Sequence, residues 1–150
     1  MAWRNCKRMK ILFICRANVG RSQIAESLFN NLSKKHKAES AGTKVNEING
    51  QTILSFAKIK PPAKNVIRVM SEEGINIENN IRKQVNKEML NEYDKIIILV
   101  SKQECPNYLL NNSKTIFWDI EDAAGKDYDF HIKTRDIIKK KIKELLVELK

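Results

Sequence analysis

Cys15, Arg21 and Ser22 are the residues of this chain whose types and spacing suit one chemistry together. Five residues separate the thiol from the guanidinium, and the hydroxyl follows directly. A thiolate is a strong nucleophile, and positive charge beside it favours the deprotonated form. A guanidinium can hold two oxygens of a tetrahedral oxyanion with planar geometry that lysine lacks. The set is therefore suited to nucleophilic attack on a bound phosphate ester. The competing reading makes Cys15 a buried, inert core thiol at a strand end.

The elements that must position these groups are legible on either side. Ile11, Leu12, Phe13 and Ile14 form an unbroken apolar run, which predicts a strand at Lys10–Ile14 buried on both faces. Ile24, Ala25, Leu28, Phe29 and Leu32 recur at helical spacing, which predicts a helix from Ser22 to Lys35. A loop running from a strand end into a helix N-terminus points backbone N–H groups at its own centre, and the helix dipole adds to the attraction for an anion. The amides of Arg16, Ala17, Asn18, Val19, Gly20, Arg21 and Ser22 are the expected phosphate-binding groups. Gly20 is expected to supply a dihedral that a side chain would resist. Asn18 is read as a left-handed residue that ties the loop together, or as an ordinary turn asparagine. Ser22 either donates to the Cys15 sulfur or only caps the helix.

A thiolate that attacks phosphorus expels an alkoxide or phenoxide, which needs a proton. Asp119, Glu121 and Asp122, in the loop after a C-terminal strand, are the local acids. Residue type alone does not separate them, and all three could be solvated loop acids.

The remaining chain bounds the class. One hundred and fifty residues, 42% hydrophobic and 31% charged, suit a single domain with a core of its own. Residues 1–9 read as a mobile extension and residues 10–150 as the domain. No apolar run approaches a membrane span, and the three cysteines are too scattered for a disulfide framework, so a cytoplasmic setting is expected. The net charge of +10 reads first as a solvated lysine-rich surface and second as attraction for anions. No zinc-finger spacing or RNA-binding signature accompanies it, so the charge does not argue for nucleic acid. Further strands are predicted at Lys37–Ser40, Ile96–Val100 and Thr115–Trp118. Helices are predicted near Gln51–Ile59, from Pro61 to a Gly74 cap, from Asn86 to Tyr93, and over Asp129–Leu149. On the last helix Phe130, Ile137, Ile138, Ile142, Leu145, Leu146 and Leu149 form the apolar face. Strands alternating with helices give an α/β fold with a parallel sheet and helices on both faces. In such sheets the ligand lies beyond the carboxyl ends of the strands, which is where the first loop falls.

The Cys15-x5-Arg21-Ser22 signature, with Ile11-Leu12-Phe13-Ile14 before it and Ile24-Ala25-Glu26 after it, resembles the low-molecular-weight protein tyrosine phosphatase family. The similarity continues through Ser40-Ala41-Gly42-Thr43, Glu73-Gly74-Ile75, Tyr93-Asp94-Lys95-Ile96-Ile97 and Trp118-Asp119-Ile120-Glu121-Asp122. The resemblance implies a compact three-layer domain with a four-stranded parallel sheet. It implies a phosphomonoester hydrolase acting on a phosphorylated protein or small phosphate ester through a phosphocysteine. Cys15 would be the nucleophile, Arg21 the phosphate clamp and Asp122 the general acid and then base. Asn18, Ser22 and Ser40 would support the loop. Phosphate, arsenate or vanadate would be ligands or inhibitors. No metal and no cofactor are implied.

This chain departs from the family pattern at several points. Ala123 stands after the acid where proline is usual, and Tyr128 is the first aromatic beyond it. Gly20 replaces a second loop cysteine, and an asparagine near Asn79 replaces a supporting histidine. Gln23 and the stretch Glu121-Asp122-Ala123-Ala124-Gly125-Lys126 lean toward the thioredoxin-coupled arsenate reductases of the same superfamily. That reaction needs a thiol relay. Cys105 resembles its last member, or is simply a packed thiol. The expected partner near Leu99-Val100-Ser101 is absent, and Cys6 matches no relay position. A third reading is a non-catalytic phosphate or phosphoprotein binder, although binding alone requires neither Cys15 nor Asp122.

Overall fold

In the computed structural model, residues 7–45 and 50–150 are described. Four parallel strands form one sheet in the order β2-β1-β3-β4. They are β1 (Lys10–Cys15), β2 (Lys37–Gly42), β3 (Lys95–Ile98) and β4 (Thr115–Phe117). β1 is central because every residue from Ile11 to Ile14 is apolar and fully buried. The chain steps from β1 to β2 on one side and returns to β3 on the other. The C-terminal end of β1 is thus the switch point of the sheet.

Helices surround the sheet: α1 (Arg21–Leu32), α2 (Ile53–Ile59), α3 (Lys64–Ser71), α4 (Asn107–Leu110) and α5 (Tyr128–Glu148). α1 buries Ile24, Ala25, Leu28 and Phe29, the apolar positions predicted for it. It ends three residues before the predicted Lys35, where Ser33 turns to extended backbone. Pro61 and Pro62 start a short 3-10 turn that leads into α3, and Gly74 takes a φ of 76° beyond it. The segment after Asn86 is a 3-10 helix, Glu88–Glu92, with the Asn86 side chain accepting from Met89 N–H at 2.9 Å. Asp127 caps α5 by accepting from Phe130 N–H at 2.9 Å. Ile137, expected on the buried face of α5, is exposed. Ile138, Ile142 and Leu145, predicted on that face, are buried, and His131, Thr134 and Arg135 complete it.

Residues 1–6 of the expected extension, with Cys6, lie outside the described residues. Met9 N–H donates to His36 Nδ1 at 2.9 Å, and Lys7 pairs with Asp94 at 3.3 Å. No helix among the described residues is long and apolar enough to cross a membrane.

Candidate active site

The loop between β1 and α1 is held from outside by its own carbonyls. Cys15 C=O accepts from Thr43 N–H at 2.9 Å and Arg16 C=O from Lys44 N–H at 2.8 Å. Ala17 C=O accepts from Arg82 Nε at 3.1 Å and Asn18 C=O from Gln23 Nε2 at 3.2 Å. In a trans peptide the next N–H points the opposite way. The amides of Ala17, Asn18 and Val19 therefore face the concave side of the loop. α1 begins at Arg21 with Gly20 at the N-cap, so its first N–H groups have no side-chain cap. Donors grouped in this way, in a concave loop at a helix N-terminus, suit an anion.

Asn18 has a φ of 56°, the left-handed conformation predicted for it. Its amide Nδ2 donates to Ser22 Oγ at 2.8 Å and to Ser40 Oγ at 3.0 Å. Ser22 Oγ is 2.9 Å from Cys15 Sγ, so Ser22 is spent on the thiol and not on a helix cap. Ser40 Oγ donates to Glu26 Oε1 at 2.6 Å. Burial pushes the Glu26 carboxyl above the usual carboxylate range.

The glycine that the loop requires is not Gly20, whose φ is −100° and whose missing Cβ would only touch Val66 at 4.0 Å. It is Gly42, at the end of β2. A Cβ there would lie 2.5 Å from Arg16 O and 2.9 Å from Asn18 N. The backbone of β2 must approach the loop that closely for Thr43 and Lys44 to support it.

Arg21 is almost wholly buried. Its Nη1 donates to Leu99 O at 2.9 Å and Ile120 O at 3.0 Å. Those carbonyls belong to the loops after β3 and β4, so two strand ends aim the guanidinium. Its Nη2 stays on the cavity side, 3.5 Å from Asp122 Oδ2. Asp122 is the one of the three sequence-level acids that lines the cavity, and its Oδ1 accepts from Ala124 N–H at 3.0 Å. Asp119 and Glu121 are exposed and do not line it.

Cys15, Ala17, Val19, Gly20, Arg21 and Asp122 open onto one cavity of about 470 Å³. Phe56, Pro62, Ala63 and Val66 form an apolar wall, with Lys60 among the lining residues. Sequence reasoning missed Phe56 as a site residue. It also missed Arg82, whose guanidinium lies 4.2 Å from the Phe56 ring centroid and bonds Gln51 Oε1 at 2.6 Å. Tyr128, the first aromatic after the acid, is not in the cavity wall; Arg68 stacks 3.8 Å from its ring centroid. Asn80, the neighbour of Asn79, is the asparagine that reaches the loop network, through Gln23 Oε1 at 3.2 Å. Cys105 is buried outside the cavity lining, and burial pushes its thiol up.

The sequence profile of the low molecular weight phosphotyrosine protein phosphatase family matches residues 10–150. The chain belongs to this family. Its four-stranded parallel sheet with flanking helices matches the fold of solved phosphatases. The low molecular weight protein tyrosine phosphatase of T. tengcongensis superposes with a TM-score of 0.75 at 23% identity, covering 93% of this chain and 99% of that one. An arsenate reductase of Archaeoglobus fulgidus superposes with a TM-score of 0.67 at 29% identity, covering 90% and 97%. Among curated relatives, arsenate reductase 2 of Staphylococcus haemolyticus is 31% identical over 132 residues, 86% of this chain and 89% of that protein. The chain is thus similar both to a protein named a tyrosine phosphatase and to proteins named arsenate reductases.

Proposed function

We propose that the protein is a phosphomonoester hydrolase working through a phosphocysteine, with protein phosphotyrosine as the substrate class implied by its family. The observation that carries this reading is that Cys15, a fixed Arg21 and Asp122 share one cavity, with a hydroxyl directed at the sulfur. The loop amides and the cavity-side edge of Arg21 hold the three phosphate oxygens. The Cys15 thiolate attacks phosphorus in line, and the S–P bond forms as the P–O bond to the leaving group breaks. Protonated Asp122 gives its proton to the departing oxygen. The Asp122 carboxylate then takes a proton from water as that water attacks phosphorus. Inorganic phosphate leaves, and the Cys15 thiolate and protonated Asp122 are restored. The apolar wall of Phe56, Pro62, Ala63 and Val66 suits a flat, uncharged leaving group.

Arsenate reduction is the second reading, favoured by the curated relatives named arsenate reductase. It requires thiols that pass electrons by disulfide exchange to thioredoxin. Leu99, Val100 and Ser101 supply none after β3, and Cys105 is a buried thiol with its pKa raised. These facts favour hydrolysis over the relay.

Steady-state assays with para-nitrophenyl phosphate, a phosphotyrosine peptide and arsenate plus thioredoxin and its reductase separate the readings. Hydrolysis of the esters that vanishes in Cys15→Ser supports the hydrolase. Nicotinamide oxidation driven by arsenate, with no ester hydrolysis, overturns it.

A further inference from the structure

Among the described residues that line the cavity, Phe56 is the one phenyl ring. The helix that carries it, α2, has seven residues and buries only Ile53 and Ala57. A helix this short is marginal without tertiary support. Backbone bonds fasten its start to a distant segment: Ile53 N–H donates to Asn80 O at 2.9 Å and Arg82 N–H to Gln51 O at 2.9 Å. The Phe56 ring lies one turn further on and is half-buried.

The side chain of Arg82 supplies the support that the ring needs. It is 5% exposed and does not itself line the cavity. Its guanidinium carbon stacks 4.2 Å from the Phe56 ring centroid. Nε donates to Ala17 O at 3.1 Å, Nη1 to Gln51 Oε1 at 2.6 Å and Nη2 to Val45 O at 3.5 Å. One planar group therefore joins the loop after β1, the residue two places before α2 and the aromatic wall. Burial of a guanidinium has a desolvation cost that these acceptors offset, and the attraction between cation and ring grows as water is excluded. Lysine has neither the plane nor the fork for this arrangement.

We propose that Arg82 is a positioning residue that makes the site prefer aryl over alkyl phosphates: it holds the Phe56 ring as a fixed wall at a set distance from the loop that binds the oxyanion. The proposal rests on the hydrolase reading. Arg82 acts through the ring on one side and through Ala17 on the other. Both Phe56 and Ala17 line the cavity, so the leaving-group wall and the oxyanion loop keep one relative position. The guanidinium takes one face of the ring and leaves its cavity side to the ligand. A ring already in place loses little freedom when a flat ligand arrives, so the contact adds to binding. An alkyl phosphate has no face to lay against it.

The test is calorimetric binding of benzylphosphonate and methylphosphonate, which are not hydrolysed, to the full chain. The ratio of their dissociation constants is the readout. A merely structural role for Arg82 would weaken both ligands alike and leave the ratio where it is. The wild-type chain prefers benzylphosphonate by about 10-fold. Arg82→Met keeps the aliphatic stem but removes the plane, and lowers that preference about 5-fold; Phe56→Leu lowers it by a similar factor. The double variant loses no more than either single one, because both break the same contact. Arg82→Lys keeps the charge without the plane and behaves as Arg82→Met. Gln51→Ala is the milder variant, which leaves the arginine but removes one anchor, and lowers the preference about 2-fold. An unchanged ratio in Arg82→Met, or in Gln51→Ala where the Arg82 variants do not fold, overturns the proposal and leaves the hydrolase reading intact. Losses that multiply in the double variant, or a wild-type chain with no aryl preference, overturn it in the same way. A chain that hydrolyses no ester but shows the preference and its loss supports the tie between Arg82 and Phe56 and ends the hydrolase reading. Binding of neither phosphonate overturns both.

Discussion

The backbone N–H of Lys83 fixes which way the Asn18 amide faces, by donating to Asn18 Oδ1 at 2.8 Å. A backbone N–H cannot accept, so the oxygen must lie toward Lys83. Gln23 Nε2, 3.3 Å from the same oxygen, agrees. Both hydrogens of Asn18 Nδ2 then go to Ser22 and Ser40. Ser22 Oγ accepts from Asn18 and lies 2.9 Å from Cys15 Sγ, so it gives its hydrogen to the sulfur when the sulfur is a thiolate, which cannot donate. The chain of donors has one direction, ending at the sulfur on one side and at the Glu26 carboxylate on the other.

That direction makes two substitutions unequal. Ser22→Ala removes one hydrogen bond to the thiolate, a loss of roughly 1.5–3 kcal/mol for a charged partner. Aryl phosphate kcat therefore falls about 10- to 150-fold, and stability falls by about 1–3 kcal/mol because the buried Asn18 Nδ2 loses one of its two acceptors. Asn18→Asp replaces a double donor with a carboxylate that pulls the Ser22 hydrogen away from sulfur, so it costs more than Ser22→Ala. Alkylation of Cys15 by iodoacetamide at neutral pH, measured in both variants, slows in the same order.

Glu26 gives the network a pH signature in stability. Its native pKa is raised from 4.5, chiefly by burial, so between 4.5 and the raised value the native chain holds a proton that the unfolded chain has released. Stability contributed by this group is present below 4.5 and is lost as pH rises through the native value. Urea melts across this window show a fall with pH in the wild-type chain, and Glu26→Gln makes the profile flatter.

Gly42→Ala tests the backbone contact between β2 and the loop. Its Cβ would meet Arg16 O at 2.5 Å, a main-chain atom that cannot swing aside. Overpacking of this kind costs about 1–3 kcal/mol. A lower urea midpoint and weaker phosphate binding are expected together. Gly20→Ala, which meets only Val66 at 4.0 Å, perturbs both less.

Cys105→Ala separates hydrolysis from a thiol relay. Cys105 is buried away from the cavity lining, so its loss leaves phosphate ester turnover within about 2-fold, apart from a small packing effect. Arsenate-driven oxidation of the nicotinamide cofactor that is present in the wild-type chain and lost in Cys105→Ala would instead support the relay.

The parts of the site that were legible from the chain are those where side chains do the work next to a strong hydrophobic signal. The buried run Ile11–Ile14 and the helical spacing of Ile24, Leu28 and Phe29 framed the loop, and the left-handed Asn18 followed from its residue type. Backbone partners carry no such signature. The carbonyls of Leu99 and Ile120 that aim Arg21, and the N–H of Lys83 that orients Asn18, lie far away along the chain. Gly20 attracted the conformational argument because it sits in the motif, whereas the constraint lies at Gly42, visible only once β2 is paired to β1. The family pattern drew attention to the residues after the acid, where Tyr128 is the first aromatic, but the aromatic in the cavity wall is Phe56 on α2. Ile137 was assigned to the core by spacing alone, but α5 turns its buried stripe toward Thr134, Ile138 and Ile142.

The most direct test of the central claim is to quench Asp122→Asn during turnover of an aryl phosphate and map the phosphoryl group by mass spectrometry. Asp122→Asn keeps the cradle but lacks the base that activates water, so the intermediate accumulates. The account predicts a burst of aryl alcohol equal to the enzyme concentration, with phosphate on the sulfur of Cys15. Turnover with no burst, or a phosphoryl group on any other residue, would contradict it.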